Sequence, residues 1–159
     1  MSIDRNHANA RQFLANHYQN MTIYLVSARD VSPENVNRAI GLAHKAIALN
    51  LDPQSGGPWF SLGMASYRAG KWRNAITALE KSMKPNVKAD DRCDWLLMAL
   101  ALWQVGEKQE ARRWHEKALK DMAKRRRTVD EENFFRDFGV EVQELLGSKP
   151  SPPLDNPKN

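Results

Sequence analysis

Four histidines, one cysteine and a dense basic run are the side chains of this 159-residue sequence best suited to chemistry. His7, His17, His44 and His115 could ligate a metal, but no two of them stand at i, i+4 spacing. A zinc site needs three or four ligands brought together, and Cys93 has no second cysteine to join it there or in a disulfide. As a nucleophile Cys93 would need a base beside it. It opens a predicted helix, which favours the thiolate, whereas Asp90, Asp91 and Asp94 oppose it. Cys93 therefore reads as a bystander thiol, and His115, on an inward-facing helical position, as a structural histidine. The sequence has no phosphate-binding glycine loop, dinucleotide fingerprint or nucleophile elbow. No enzyme activity, metal or other cofactor is expected.

Charge offers a second kind of chemistry. Residues 108–127 hold nine basic and three acidic side chains, and residues 130–144 hold one basic and six acidic ones. The candidate basic patch is Arg112, Arg113, Lys124, Arg125, Arg126 and Arg127. Cations ending one helix and carboxylates opening the next both complement helix dipoles, which is a sufficient structural reason for the pattern. The other reading is a surface for nucleic acid or an acidic partner. A net charge of +5 over the chain is only mildly basic, so nucleic acid stays the second choice.

These residues are positioned by an internal repeat. Trp59, Tyr67, Gly70, Ala75 and Ser82 are answered by Trp95, Trp103, Gly106, Ala111 and Ala118, each 36 positions later. One step backwards reaches Ala39, Leu42 and Ala46, so three copies cover most of the chain and the first is incomplete in its front half. Trp59, Leu62, Gly63 and Tyr67 share one helical face, and Ala75, Ala78, Leu79 and Ser82 share another. Gly70 between them suits a helix end in the left-handed conformation, and Pro58 suits a first turn. Small residues at Gly63 and Ala75 would let two antiparallel helices approach closely, and a bulky side chain at Gly63 would overpack them.

The repeats are flanked by further helices. Residues 6–27 predict a long first helix pairing with Ser32–Leu49, which Ser32-Pro33-Glu34 opens. Thr128-Val129-Asp130-Glu131 reads as a capping box. Phe134, Phe135, Phe138, Val142, Leu145 and Leu146 then form an apolar stripe, predicting a capping helix over 129–146 whose stripe meets either the core or a partner. Residues 148–159, with four prolines, predict a flexible tail. At 42% hydrophobic, with five tryptophans and no apolar run of membrane-spanning length, the chain is expected to form one folded domain over 6–147 with no membrane segment. The N-terminus lacks the order of a signal peptide, and the single cysteine suits a reducing compartment, so a cytoplasmic location is expected.

The run Trp59-x-x-Leu62-Gly63-x-x-x-Tyr67-x-x-Gly70-x-Trp72-x-x-Ala75-x-x-x-Leu79-x-x-Ser82 resembles a tetratricopeptide repeat. In the second copy Ala99 replaces the glycine, and His115 stands where a large apolar residue usually packs. The two residues beyond the usual period of about 34 fall in the linker Pro85–Asp91. Tyr67–Trp72, Ala78–Met83 and Asp94-Trp95 are similar to repeats at the C-termini of large bacterial proteins of planctomycete type. The resemblance implies an all-α solenoid of about three helix-turn-helix repeats, residues 8–53, 56–89 and 92–127, plus the capping helix. It also implies a non-catalytic interaction module.

In that family the first helix of each repeat lines a concave groove. The matching positions are Phe60, Ser61, Met64, Tyr67 and Arg68, then Leu96, Leu97, Leu100, Trp103 and Gln104. The Lys, Asn and Arg residues with which some members grip a terminal carboxylate are nearly all missing. The lining is apolar and aromatic, which suits a hydrophobic protein or peptide segment, self-association, or packing against a neighbouring domain. Trp103 is either an anchor for such a partner or a core residue between helices.

Overall fold

Helix boundaries fall where local signals are strong. Ser32 has an extended backbone and its hydroxyl accepts from the amide of Asn35, so the helix that follows begins with Pro33 in its first turn. The computed structural model describes residues 2–84, 92–124 and 126–147. Among these there are seven helices and no strand: α1 Ser2–Val26, α2 Pro33–Leu49, α3 Gly57–Arg68, α4 Trp72–Ser82, α5 Arg92–Gln104, α6 Lys108–Met122 and α7 Val129–Leu146. The protein is all-α. The linker expected over 85–91 and the tail expected over 148–159 lie outside the described residues. The helices form two compact units, Met1–Ala89 and Asp90–Asn159.

In the first unit α1 and α2 pair, α3 and α4 pair, and α3 also packs against both α1 and α2. Ala39, Ala43, Ala46 and Ala75 are all fully buried, which is what close backbone approach requires. Ala43, Leu62 and Ala78 form a cluster joined by Ile40, Ile47 and Trp59, so three helices share one core. A Cβ on Gly63 would stand 3.0 Å from Leu79 Cγ and 3.7 Å from the carbonyl of Ala75, so the crossing leaves room there for no more than a small side chain. Between α1 and α2, Thr22 occupies the crossing: its hydroxyl donates to the carbonyl of Tyr18 at 2.8 Å, beside Ala39 O at 3.4 Å. Arg11 donates to Ala48 O and the amide of Leu51 donates to Gln12, tying the other end of the pair.

One turn is built twice. Gly70 has φ 68° and Gly106 φ 89°, both in the left-handed region that glycine enters without strain. The Lys71 amide donates to Ser66 O at 2.9 Å, and the Glu107 amide donates to Leu102 O at 2.9 Å, closing the same six-residue ring on each helix end. In the second unit α5 pairs with α6, and α7 packs against α5. Helix α7 spans the predicted 129–146 and opens with the predicted box: Glu131 Oε2 accepts from the Thr128 amide at 2.7 Å, and Thr128 Oγ1 accepts from the Glu131 amide at 3.3 Å. Phe134, Phe138 and Val142 are buried and Phe135, Leu145 and Leu146 half-buried, so the centre of the α7 stripe is core.

Candidate partner-binding surfaces

The groove positions implied by the family resemblance divide between the units. On α3, Ser61, Met64 and Tyr67 are buried, and the Ser61 hydroxyl donates to Pro58 O at 2.8 Å. Phe60 and Arg68 are half-buried. Arg68 has a structural task that the sequence did not suggest. Its Nε donates to Val26 O at 3.1 Å, placing a cation on the C-terminus of α1, whose last turn has no basic residue of its own. On α5, Leu96, Leu97 and Leu100 are fully buried, and Trp103 and Gln104 half-buried. Six of the ten positions are therefore interior. The reason for α3 is plain: it packs against α1, α2 and α4 and has little face left.

Aromatic rings on the first helix of each pair are covered by lysines from the second. Lys45 Nζ stands 5.7 Å from the ring centre of Tyr18, Lys81 stands 4.4 Å from Trp59, and Lys117 stands 4.2 Å from Trp95. Lys45, Lys81 and Lys117 are spaced by the 36-residue step of the repeat. Each contact is worth about 0.5–1 kcal/mol where solvent reaches it. Tyr18 thus supplies the front half that the first copy lacked. It precedes its lysine by 27 positions where Trp59 and Trp95 precede theirs by 22. The link Ser27–Ser32 is three residues longer than Ala69–Lys71, and α2 begins almost a turn early relative to α4. The lysine spacing was the available signal.

The basic stretch is occupied largely by local partners. Arg113 pairs with Glu110 at 3.1 Å and Lys124 with Asp121 at 3.4 Å, exposed contacts of small energetic value. Lys108 and Arg112 stand 5.0 and 5.6 Å from the ring of Trp103. Lys117 touches Trp114 as well as Trp95, at 4.8 Å. Arg127, with a side chain only 12% exposed, reaches Glu132 at 3.6 Å and lies 4.6 Å from the Phe135 ring, fastening the start of α7. Arg112, Arg113, Lys124 and Arg126 are exposed, and Arg125 lies outside the described residues.

His7, His17 and His44 are exposed, whereas His115 and Cys93 are buried. Among the described residues no group of three or more histidine, cysteine or acidic side chains is placed to hold a metal ion. Nor is any described helix long and apolar enough to cross a membrane. Burial pushes the His115 imidazole below its ordinary value of 6.5, against a weaker upward pull from Glu116. The unfolded chain takes up this proton near pH 6.5 and the folded chain only at lower pH. The second unit is therefore expected to lose stability as pH falls below that value and to be indifferent to His115 above it. Chemical denaturation at pH 7.5 and 5.5 checks this: His115→Phe should flatten the pH dependence, and an equal slope in the variant would contradict it.

Compared with known protein families the chain matches none, and no curated protein matches it.

Proposed function

We propose that the three helical pairs are repeats of a tetratricopeptide-type α-solenoid capped by α7, and that the chain is a non-catalytic scaffold binding a hydrophobic protein or peptide segment. The observation that carries the reading is the lysine set Lys45, Lys81 and Lys117, each seated on an aromatic ring of the preceding helix at a constant sequence step. Recurrence of the Gly70 and Gly106 turns supports it independently. Because most groove positions are interior, partner contact falls to the partly exposed Phe60 on one unit and Trp103 and Gln104 on the other. His115 and Cys93, the groups best suited to chemistry, are buried. A cytoplasmic setting suits a chain whose single cysteine is buried rather than bridged.

The experiment is affinity capture with wild type, Phe60→Ser and Trp103→Ala, each variant checked for unchanged helicity. A protein retained by wild type should fall about tenfold or more in at least one variant, as loss of an aromatic anchor implies. Equal recovery by all three would remove these positions from the account. The second reading, polyanion binding, rests on the exposed Arg112, Arg113, Lys124 and Arg126. It requires heparin retention that falls steeply with salt; with the basic run largely engaged locally, early elution is expected.

A further inference from the structure

Lys117 meets two tryptophans at once. Its ammonium stands 4.2 Å from the ring centre of Trp95 on α5 and 4.8 Å from that of Trp114 on its own helix, α6. The repeat gives a reason to consider the second ring separately. One step earlier Lys81 rests on Trp59, and the position of Trp114 is held by Ala78, which is buried. Two steps earlier Lys45 rests on Tyr18, and that position is held by Leu42. A lysine therefore seats on the ring of the preceding helix without an indole at this place. Trp95 and Trp114 are both half-buried and Lys117 is exposed, so solvent reaches the point where rings and ammonium meet.

Indole rings gathered around one cationic nitrogen are the means by which proteins recognise methylated ammonium groups. A primary ammonium is the poorer guest, because it is compact and strongly hydrated and gives up water to approach a ring. A trimethylammonium group has no N–H to desolvate, and its methyls carry the charge against the ring faces. We propose that Trp95 and Trp114 form a binding site for a methylated ammonium group, and that Lys117 fills it until such a guest displaces it. Displacement needs only rotation about the side-chain bonds of an exposed lysine. The guest is either a free choline-like molecule or a trimethylated lysine side chain of a partner, and the chemistry of recognition is the same for both. Residues 108–127 are net basic and oppose an incoming cation. With two rings alone the dissociation constant for choline is about 1–10 mM. The site does not involve Phe60 or Trp103 and does not depend on the scaffold reading.

Choline titrated into the 159-residue chain, followed by NMR, tests this. The indole N–H signals of Trp95 and Trp114 should shift together and saturate. The neutral isostere of choline, with carbon in place of nitrogen, should bind about tenfold more weakly or less. Lys117→Ala removes the internal occupant, so choline should bind about two- to fivefold more tightly, the equivalent of one exposed cation–ring contact released. Trp114→Leu, which installs the residue found at Leu42, should keep the helicity and weaken choline about tenfold or more. A peptide bearing trimethyl-lysine identifies the source: tighter binding than choline points to a partner's side chain, and equal binding to the free molecule. No saturable shift with choline or the peptide, in wild type and in Lys117→Ala, overturns the proposal. Equal binding of the neutral isostere, unchanged affinity in Lys117→Ala, or choline binding that survives Trp114→Leu overturns it as well.

Discussion

Leucine in place of Gly63 is expected to destabilise the first unit by about 3 kcal/mol, the upper end of the usual cost of overpacking a core. The first added atom already meets Leu79 Cγ and Cδ2 at 3.0 Å, and Leu79 is fully buried with no open side to move toward. The rest of the leucine has to enter the α3–α4 crossing, where the carbonyl of Ala75 lies 3.7 Å from the same point. Opposing this, any residue other than glycine gains helix propensity, about 1 kcal/mol for alanine. Gly63→Ala should therefore be close to neutral, and Gly63→Leu should not. Urea denaturation with an unchanged m value gives the figure. Adding Leu79→Ala to Gly63→Leu should restore part of the loss, because the two positions touch. If Gly63→Leu costs under about 0.5 kcal/mol, as a surface change would, the close crossing is not there.

Phe138→Ala should cost about 3–5 kcal/mol, the range for removing a buried aromatic side chain. Phe138 is 1% exposed and stacks on Phe134 with ring centres 4.9 Å apart and an interplanar angle of 7°. It stands in the middle of the apolar stripe of α7, the helix that packs against α5. Losing it removes the ring, the stacked contact and part of what holds α7 in place. Phe135→Ala should cost less, since Phe135 is half-buried and meets Phe134 edge-on at 6.0 Å. Val129→Ala, at a position 76% exposed, should be nearly neutral. Hydrogen exchange adds a readout of place: in Phe138→Ala the amides of α7 should lose protection first. An effect no larger than that of Val129→Ala would show that α7 is not held by its stripe.

What could be read in the sequence was local in origin. Thr128 and Glu131 specify a helix start by hydrogen bonds spanning three residues, and α7 begins where they place it. Gly70 and Gly106 mark turns whose backbone only glycine adopts without strain, and both carry positive φ. Ala39, Ala75 and Ala111 recur at the repeat step, and all three are fully buried. What could not be read depends on cover from elsewhere in the chain. Met64 and Tyr67 match groove positions by alignment, but α3 packs against α1, α2 and α4, and their side chains are interior. Arg68 also matches a groove position by alignment, and its Nε bonds the last carbonyl of α1, across 42 residues. Tyr18 was missed for a different reason. A longer link and an earlier start to α2 shift it five positions out of register, although its packing under Lys45 follows the pattern of the later pairs.

The central claim is that one helical pair, with its lysine laid on an aromatic ring, recurs along the chain. Side-chain proton NMR tests it most directly, because a methylene held over an indole face is shifted upfield by the ring current. The ε-methylene protons of Lys81 and Lys117, whose ammonium groups lie 4.4 and 4.2 Å from the Trp59 and Trp95 ring centres, should both move upfield; Lys81 should return on Trp59→Leu, and Lys117, which also touches Trp114, should return in part on Trp95→Leu. Ordinary lysine shifts at both residues, unaffected by removing the indoles, would contradict the account.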